Sequence, residues 1–232
     1  MSKTPHGGGQ RFAAVRVRGG KVRKPSSRLW LQRQLNDPYV REAKRRGYRS
    51  RAAFKLIELD DKAKLLRPGL RVVDLGAAPG GWTQVAVARV RAGQEGGGRV
   101  VAVDKEAMEA IPGAVVMQAD MSDPAAEARI VGALGGKADI VLSDLSPATV
   151  GHAATDHLRI VALVEAAAEF ALRNLAAGGA FVAKVFAGGT ERELLARLKR
   201  SFANVRHVKP RASRKESAEI YLLATGFRGA AA

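Results

Sequence analysis

Residues 71–82, RVVDLGAAPGGW, run from an apolar strand through a glycine-rich turn into the start of a helix. A strand, a tight turn and a helix in this order begin a βαβ unit, the repeating unit of parallel sheets. Apolar stretches predict further strands over 99–104, 114–120, 138–145 and 179–186. Helical periodicity marks the segments between them, at 82–91, 123–134 and 157–176. This alternation predicts an α/β fold, a mostly parallel sheet with helices on both faces.

The two ends of the chain add to this sheet. After a helix predicted over 190–200, strands over about 203–208 and 219–225 should close one edge as a hairpin-like pair, which gives seven strands. Before the sheet, residues 29–48 suggest two short helices broken at Asp37-Pro38, and Ser50 is the expected N-cap of the helix that follows.

The charge of the chain is strongly positive and uneven. Lys and Arg number 39 against 22 Asp and Glu, a net charge of +17, and residues 1–51 hold 15 of these cations against two acids. Such a surface attracts polyanions. We expect residues 1–28 to be a disordered basic arm, residues 29–232 to be one domain, and phosphates to bind the arm together with Arg41, Lys44, Arg45, Arg46, Arg49 and Arg51.

Several classes of protein are disfavoured by composition. There is no apolar run of about 18 residues and no charged-then-apolar leader, so neither a membrane span nor a secretion signal is expected and a cytoplasmic location is the default. Cysteine is absent, which excludes disulfides and thiolate chemistry. No metal site is expected, because metal-ligand spacing is missing among His6, His152, His157 and His207.

Acidic residues follow the predicted strands, where α/β sheets bind ligands. The turn is not the dinucleotide fingerprint G-x-G-x-x-G, since Ala78 occupies the second glycine position. Asp104 is placed to accept hydrogen bonds from ribose hydroxyls, and Asp120 is placed to accept one from an adenine amine. Asp74 and Asp144 offer negative charge to a cationic ligand. Each carboxylate alone is equally typical of a helix cap or a solvated strand end. Together they favour an adenosine carrying a cation, as in S-adenosylmethionine.

Five motifs carry a resemblance to a known family. "SRAAFKL", "VVDLGAAPGGW", "VLSDLSP", "FVAKVF" and "EIYLLATG" together resemble the FtsJ/RrmJ family of ribose 2′-O-methyltransferases, and most closely its bacterial members that act on large-subunit ribosomal RNA. The resemblance runs from about Ser27 to Gly226. It implies a Rossmann-like fold and S-adenosylmethionine as cofactor, bound through Asp74, Gly76, Gly80, Trp82, Asp104, Asp120 and Asp144.

The family is known for a Lys-Asp-Lys-Glu tetrad, which the resemblance places at Lys55, Asp144, Lys184 and Glu219. Lys184 is implied to accept a proton from the ribose hydroxyl, which requires a neutral amine; burial and Lys55 favour that form, whereas the two acids favour the charged form. The alternative is a protonated Lys184 that orients the hydroxyl. Taken singly, Lys55 is also typical of a solvated helix face, and Lys184 of a snorkelling lysine.

Other methyl acceptors fit the residues less well. C5 methylation of pyrimidines commonly uses a cysteine, and amine methylation a Pro-Pro-aromatic turn, whereas this turn is "SDLSPAT". The resemblance implies a uridine ribose in the A-loop of large-subunit rRNA, modified by a monomer on the ribosomal subunit. A tRNA substrate and a non-catalytic ribosome-assembly role are the alternatives. Family members often have Asn after the proline, where this chain has Ala148 and Thr149, so contacts of the substrate loop can differ.

Overall fold

Seven strands form one sheet. The computed structural model describes residues 31, 34–146, 153–186, 192–214 and 216–229; for residues 153–157 it describes the backbone alone. The strands are β1 (Arg71–Leu75), β2 (Arg99–Asp104), β3 (Ala114–Gln118), β4 (Ala138–Ser143), β5 (Leu175–Phe186), β6 (Phe202–Val208) and β7 (Glu219–Phe227). Their order is β3-β2-β1-β4-β5-β7-β6. The first five are parallel, and β7 is antiparallel to both β5 and β6. The predicted α/β fold and the edge pair are confirmed.

Helices cover both faces of the sheet. They are α1 (Pro38–Arg45), α2 (Ala53–Ala63), α3 (Gly81–Val90), α4 (Pro124–Leu134), α5 (Ala153–Asn174) and α6 (Arg192–Ser201). On one face Ile130, Phe170 and Leu198 from the last three helices are buried in one apolar cluster. On the other face Leu56 and Trp82 from α2 and α3 are buried in a second cluster. Because the parallel strands are apolar on both faces, both need such a cover.

The segment before the sheet differs from expectation in one respect. α1 begins as predicted after Asp37, whose side chain caps it by accepting from the Tyr39 N–H at 3.0 Å. The prediction of Ser50 as the N-cap of α2 is wrong, because Ala52 holds that position. Ser50 instead points its Oγ toward Gly81, where an added Cβ would lie only 2.3 Å from it. The missing side chain at Gly81 thus makes room for this serine.

Two strand ends differ from the predicted bounds. β3 was expected to reach Asp120 but ends at Gln118, since the carboxylate of Asp120 accepts the Ser122 N–H at 2.9 Å and turns the chain. β5 begins at Leu175, four residues earlier than predicted, because Leu175 also pairs with β4 before a shift in register.

Several predictions concern residues outside the described ranges. They include the arm at 1–28, His6, His152 and Ala148-Thr149. In the part of the chain that the structure does describe, no helix has the length and apolarity needed to cross a bilayer.

Candidate active site

A cavity of about 660 Å³ opens at the carboxyl ends of the parallel strands. It lies where the strand order reverses between β1 and β4, the position at which such sheets bind ligands. Gly76 forms its floor at the end of β1 with a φ of 75°, and a Cβ there would lie 2.8 Å from the Leu145 backbone nitrogen. Only glycine permits this approach. The predicted cofactor residues that line the cavity are Gly76, Asp104, Asp120 and Asp144.

Two of these carboxylates are held by nearby N–H groups. Asp104 accepts the N–H of Ala78 and the N–H of Glu106, each at 2.9 Å, so it fixes the glycine-rich turn against β2. Asp120 is exposed, and hydrogen bonds from the N–H and hydroxyl of Ser122 lower the pKa of its carboxyl. The rim therefore presents negative charge to a ligand in the cavity.

Asp74 lies behind the cavity and does not contribute to its lining. Its carboxyl is 0% exposed, and Oδ2 accepts the Thr83 hydroxyl at 2.7 Å. Burial raises the pKa of Asp74 to about 7; the Thr83 hydrogen bond opposes this shift, and the charges of Asp144 and Asp104 add to it. Asp74 thus ties β1 to the first turn of α3.

Gly80 and Trp82 stand at the start of α3, also outside the lining. Gly80 is the N-cap residue with a φ of 110°, and no side chain in the described part of the chain caps this helix end. The Trp82 ring is buried, and its Nε1 donates to the carbonyl of Ala52 at 2.9 Å. Any contribution of Trp82 to a ligand must therefore come from its backbone N–H, which belongs to the unpaired first turn of the helix.

The position of Lys184 answers why a lysine interrupts an apolar strand. It lies on β5 directly opposite Tyr221 of β7, on the face covered by α2 and α3. Its side chain is 8% exposed, and Nζ donates to the carbonyl of Asp144 at 2.8 Å and lies 3.2 Å from that residue's Oδ1. The strand end thus pairs a buried amine with a residue of the cofactor cavity.

Lys55 and Glu219 complete the predicted tetrad. Nζ of Lys55, on α2, lies 2.7 Å from Oε1 of Glu219, the first residue of β7, and both side chains are largely buried. Burial alone would raise the pKa of Glu219, but the charges of Lys55 and Lys184, with hydrogen bonds from Lys55 and Ser213, hold it below its ordinary value. The structure therefore brings together all four residues that the resemblance placed here.

Tyr221 links the two ion pairs and was missed from the sequence. Its side chain is fully buried, and its hydroxyl lies 3.1 Å from Asp144 Oδ1 and 3.2 Å from Glu219 Oε1. Burial and the two carboxylates raise its pKa well above the ordinary value, so it remains a neutral donor. A signal was available: Tyr221 lies two residues after Glu219 on one strand, hence on the same face, and a buried tyrosine needs a partner for its hydroxyl.

The arrangement can hold and move a proton beside a cavity that favours cations. Two lysines and two carboxylates alternate around the Tyr221 hydroxyl. Asp144 belongs both to this group and to the lining of the cavity, so the Lys184 amine lies next to the ligand site. No group of three or more histidine and acidic side chains in the described ranges could hold a metal ion.

The basic residues near the N-terminus fall into two groups. Arg49 donates to the carbonyls of Glu109 and Ala110 at 2.8 and 2.7 Å, and Arg51 pairs with Asp37 at 2.7 Å. These two guanidinium groups hold the protein together, which does not favour their expected role as phosphate ligands. Arg45 and Arg46 pair with Glu42 at the surface, and Lys44 is exposed at the end of α1.

Comparisons with known proteins agree with this geometry. Residues 48–227 match the model of the FtsJ-like methyltransferase family. The chain belongs to the FtsJ-like methyltransferase family. Members of this family use S-adenosylmethionine as methyl donor. Like them, this FtsJ-like methyltransferase is an enzyme that transfers methyl groups.

Individual relatives of this FtsJ-like chain are similar over nearly their whole length. The chain is 58% identical to ribosomal RNA large subunit methyltransferase E of Azorhizobium caulinodans, covering 100% of this chain and 96% of that protein. It is 61% identical to the protein of the same name from Paramagnetospirillum magneticum, covering 96% and 91%. Among solved structures, a Plasmodium falciparum protein assigned as a ribosomal RNA methyltransferase has a TM-score of 0.69 at 30% identity, covering 78% of this chain and 100% of that one.

Proposed function

We propose that this protein transfers a methyl group from S-adenosylmethionine to the 2′-hydroxyl of a uridine ribose in the A-loop of large-subunit (23S) ribosomal RNA, on the large ribosomal subunit. One observation carries the proposal: the buried amine of Lys184 contacts Asp144, a residue that also lines the cofactor cavity. The names of the two bacterial relatives support ribosomal RNA as the substrate.

The residues around the cavity suit S-adenosylmethionine. Asp104, at the end of β2, is placed for ribose hydroxyls, and the acidic rim with Asp120 and Asp144 suits a ligand that carries a positive sulfur. The first turn of α3, which begins after Gly80 and contains the Trp82 N–H, has no side-chain cap among the described residues, and its free N–H groups suit a carboxylate. When bound, this cofactor supplies an electrophilic methyl group, which leaves neutral sulfide behind.

The tetrad supplies what the sugar oxygen lacks. A ribose hydroxyl is a weak nucleophile, so it must be aligned with the methyl carbon and lose its proton as the carbon–oxygen bond forms. Lys184 is the residue we assign to accept that proton. Its contacts with Asp144 fix the amine, and Lys55 with Glu219 keeps the neighbouring charges balanced.

Binding of the RNA follows from charge. The excess of Lys and Arg lies in residues 1–51, and we assign phosphate contacts to the 1–28 arm, which precedes a single methyltransferase domain over 29–232, and to exposed cations of α1 such as Lys44. Such contacts carry little sequence information, so the target nucleotide would be selected by RNA shape. We further propose that the protein acts as a monomer in the cytoplasm.

A panel of substrates tests the proposal. The protein and labelled S-adenosylmethionine are incubated with one substrate in each reaction. The substrates are large subunits that lack their modification, free 23S rRNA and tRNA. We expect label on the large-subunit RNA, most strongly on the assembled subunit. Label on tRNA alone would replace the substrate, and RNA binding without any transfer would favour the assembly-factor alternative.

A further inference from the structure

Ser213 lies beside the tetrad on the turn between β6 and β7, and the proposed reaction gives it no role. Its side chain is buried, with 5% of the residue exposed. Its Oγ donates to Oε1 of Glu219 at 3.0 Å. A hydrogen bond from a buried hydroxyl to a charged carboxylate is among the stronger polar contacts in proteins, so its loss should be measurable.

The turn that carries Ser213 is fixed from outside β7. The carboxylate of Glu58, on α2, accepts the N–H groups of Arg211 and Ala212 at 2.6 and 3.0 Å. The guanidinium of Arg51 donates to the carbonyl of Ala212, which is itself fully buried. Ser213 therefore presents its hydroxyl to the carboxylate from an independent support.

The donors around Glu219 outnumber what one oxygen needs. Its Oε1 lies 2.7 Å from Lys55 Nζ, 3.0 Å from Ser213 Oγ and 3.2 Å from the Tyr221 hydroxyl. The tyrosine hydroxyl has a single proton, and it also lies 3.1 Å from Oδ1 of Asp144. Within the described residues, that Oδ1 has one other close donor, Lys184 at 3.2 Å. The tyrosine can serve one carboxylate at a time, and Asp144 has the greater need.

We propose that Ser213 is a positioning residue: by donating to Glu219 it directs the Tyr221 O–H toward Asp144, the partner of Lys184. When the Tyr221 hydroxyl donates its hydrogen bond to Asp144, two donors hold the Asp144 carboxylate. The Lys184 amine then keeps a fixed direction at the edge of the cavity. Without the serine, the tyrosine turns to Glu219, and Asp144 retains Lys184 alone. The inference rests on the proposed methyl transfer.

A double-mutant cycle tests whether Ser213 acts on Asp144 through the Tyr221 hydroxyl or has a merely structural effect. Ser213→Ala, Tyr221→Phe and the double variant are compared with the unmodified protein in single-turnover methyl transfer at saturating S-adenosylmethionine. We expect Ser213→Ala to lower the rate about tenfold in the presence of Tyr221. In the Tyr221→Phe background, Ser213→Ala should lower the rate less than about twofold, because the hydroxyl that Ser213 directs is already absent.

The controls fix the interpretation. Ser201→Ala is the matched control variant. Ser201 is half-buried and directly precedes β6, at the end of the β6–β7 pair opposite Tyr221. Removing its hydroxyl should leave the rate unchanged. Thermal unfolding verifies that each variant is folded, and calorimetry should show cofactor affinity unaltered by Ser213→Ala. If Tyr221→Phe is too slow to measure, Glu219→Gln takes its place in the cycle.

Two results would overturn the role of Ser213: a Ser213→Ala protein as fast as the unmodified one, or an equal loss of rate in both backgrounds. Absence of methyl transfer by the unmodified protein on every RNA of the panel would instead reject the proposed function.

Discussion

Replacing Lys184 by methionine removes a buried amine while keeping most of its hydrocarbon stem. Asp144 then loses a donor at 2.8 Å to its carbonyl and one at 3.2 Å to its carboxylate. The carboxylate keeps the Tyr221 hydroxyl at 3.1 Å and is partly exposed to water. The free energy of unfolding should therefore fall by about 1–3 kcal/mol, which leaves the protein folded. Loss of a positioned proton acceptor should slow methyl transfer by about 10²- to 10⁴-fold.

Single-turnover transfer of labelled methyl to unmodified large subunits measures this loss. Cofactor affinity, measured by calorimetry, should stay within a few-fold, because Lys184 is not among the residues that line the cavity. Lys184→Arg is the informative companion, since arginine keeps the positive charge but cannot accept a proton at neutral pH. If Lys184 accepts a proton, the arginine variant should be as slow as the methionine variant. If Lys184 is an orienting cation, the arginine variant should retain substantial activity. A folded Lys184→Met protein with full activity would refute the reasoning.

Three further changes test other parts of the site. Asp104→Ala should weaken S-adenosylmethionine binding by about 1.5–3 kcal/mol through lost hydrogen bonds to a charged acceptor, and unchanged affinity by calorimetry would count against the cavity. The pKa of Asp74 is raised from 3.8 to about 7, so its stabilising effect is complete below pH 3.8 and is lost as the pH rises toward 7. Relative to Asp74→Asn, the unmodified protein should thus lose on the order of 4 kcal/mol across that range, and an equal stability gap in urea at pH 5 and pH 8 would contradict this. Lys44→Ala should reduce the slope of log affinity for RNA against log salt by about 0.9, whereas Arg49→Ala should leave the slope unchanged; the reverse outcome would exchange their roles.

The order of strands and helices is well encoded in local patterns. Val72, Val73 and the glycine-rich turn after them identify β1 and α3, because a parallel strand covered on both faces must be apolar throughout. Lys184 was recognisable for the same reason, since a charged residue in such a strand requires a partner. The end of β3 was not predictable, because the Asp120 side chain decides it by bonding to the local backbone. The start of β5 was not predictable either, because it depends on pairing between Leu175 and β4.

The partners of groups that meet through pairing between distant strands could not be identified from the sequence. Tyr221 meets Lys184 only because β7 is antiparallel to β5 in one particular register. Ser213 reaches Glu219 because contacts from α2 fix a turn more than 150 residues further along the chain. Charge composition likewise does not tell which arginines bind the protein itself, and Arg49 and Arg51 became distinguishable from Lys44 only in the fold.

The position of the methyl group on the product tests the central claim most directly. Large-subunit RNA labelled by the protein is digested with alkali, which cannot cleave after a 2′-O-methylated ribose, and the protected nucleotide is mapped. We predict all label at one protected uridine, and labelling by Lys184→Met that is slower by about 10²-fold or more. Label on a base, or an equal yield from the Lys184→Met protein, would contradict the assignment of this buried amine to a sugar oxygen.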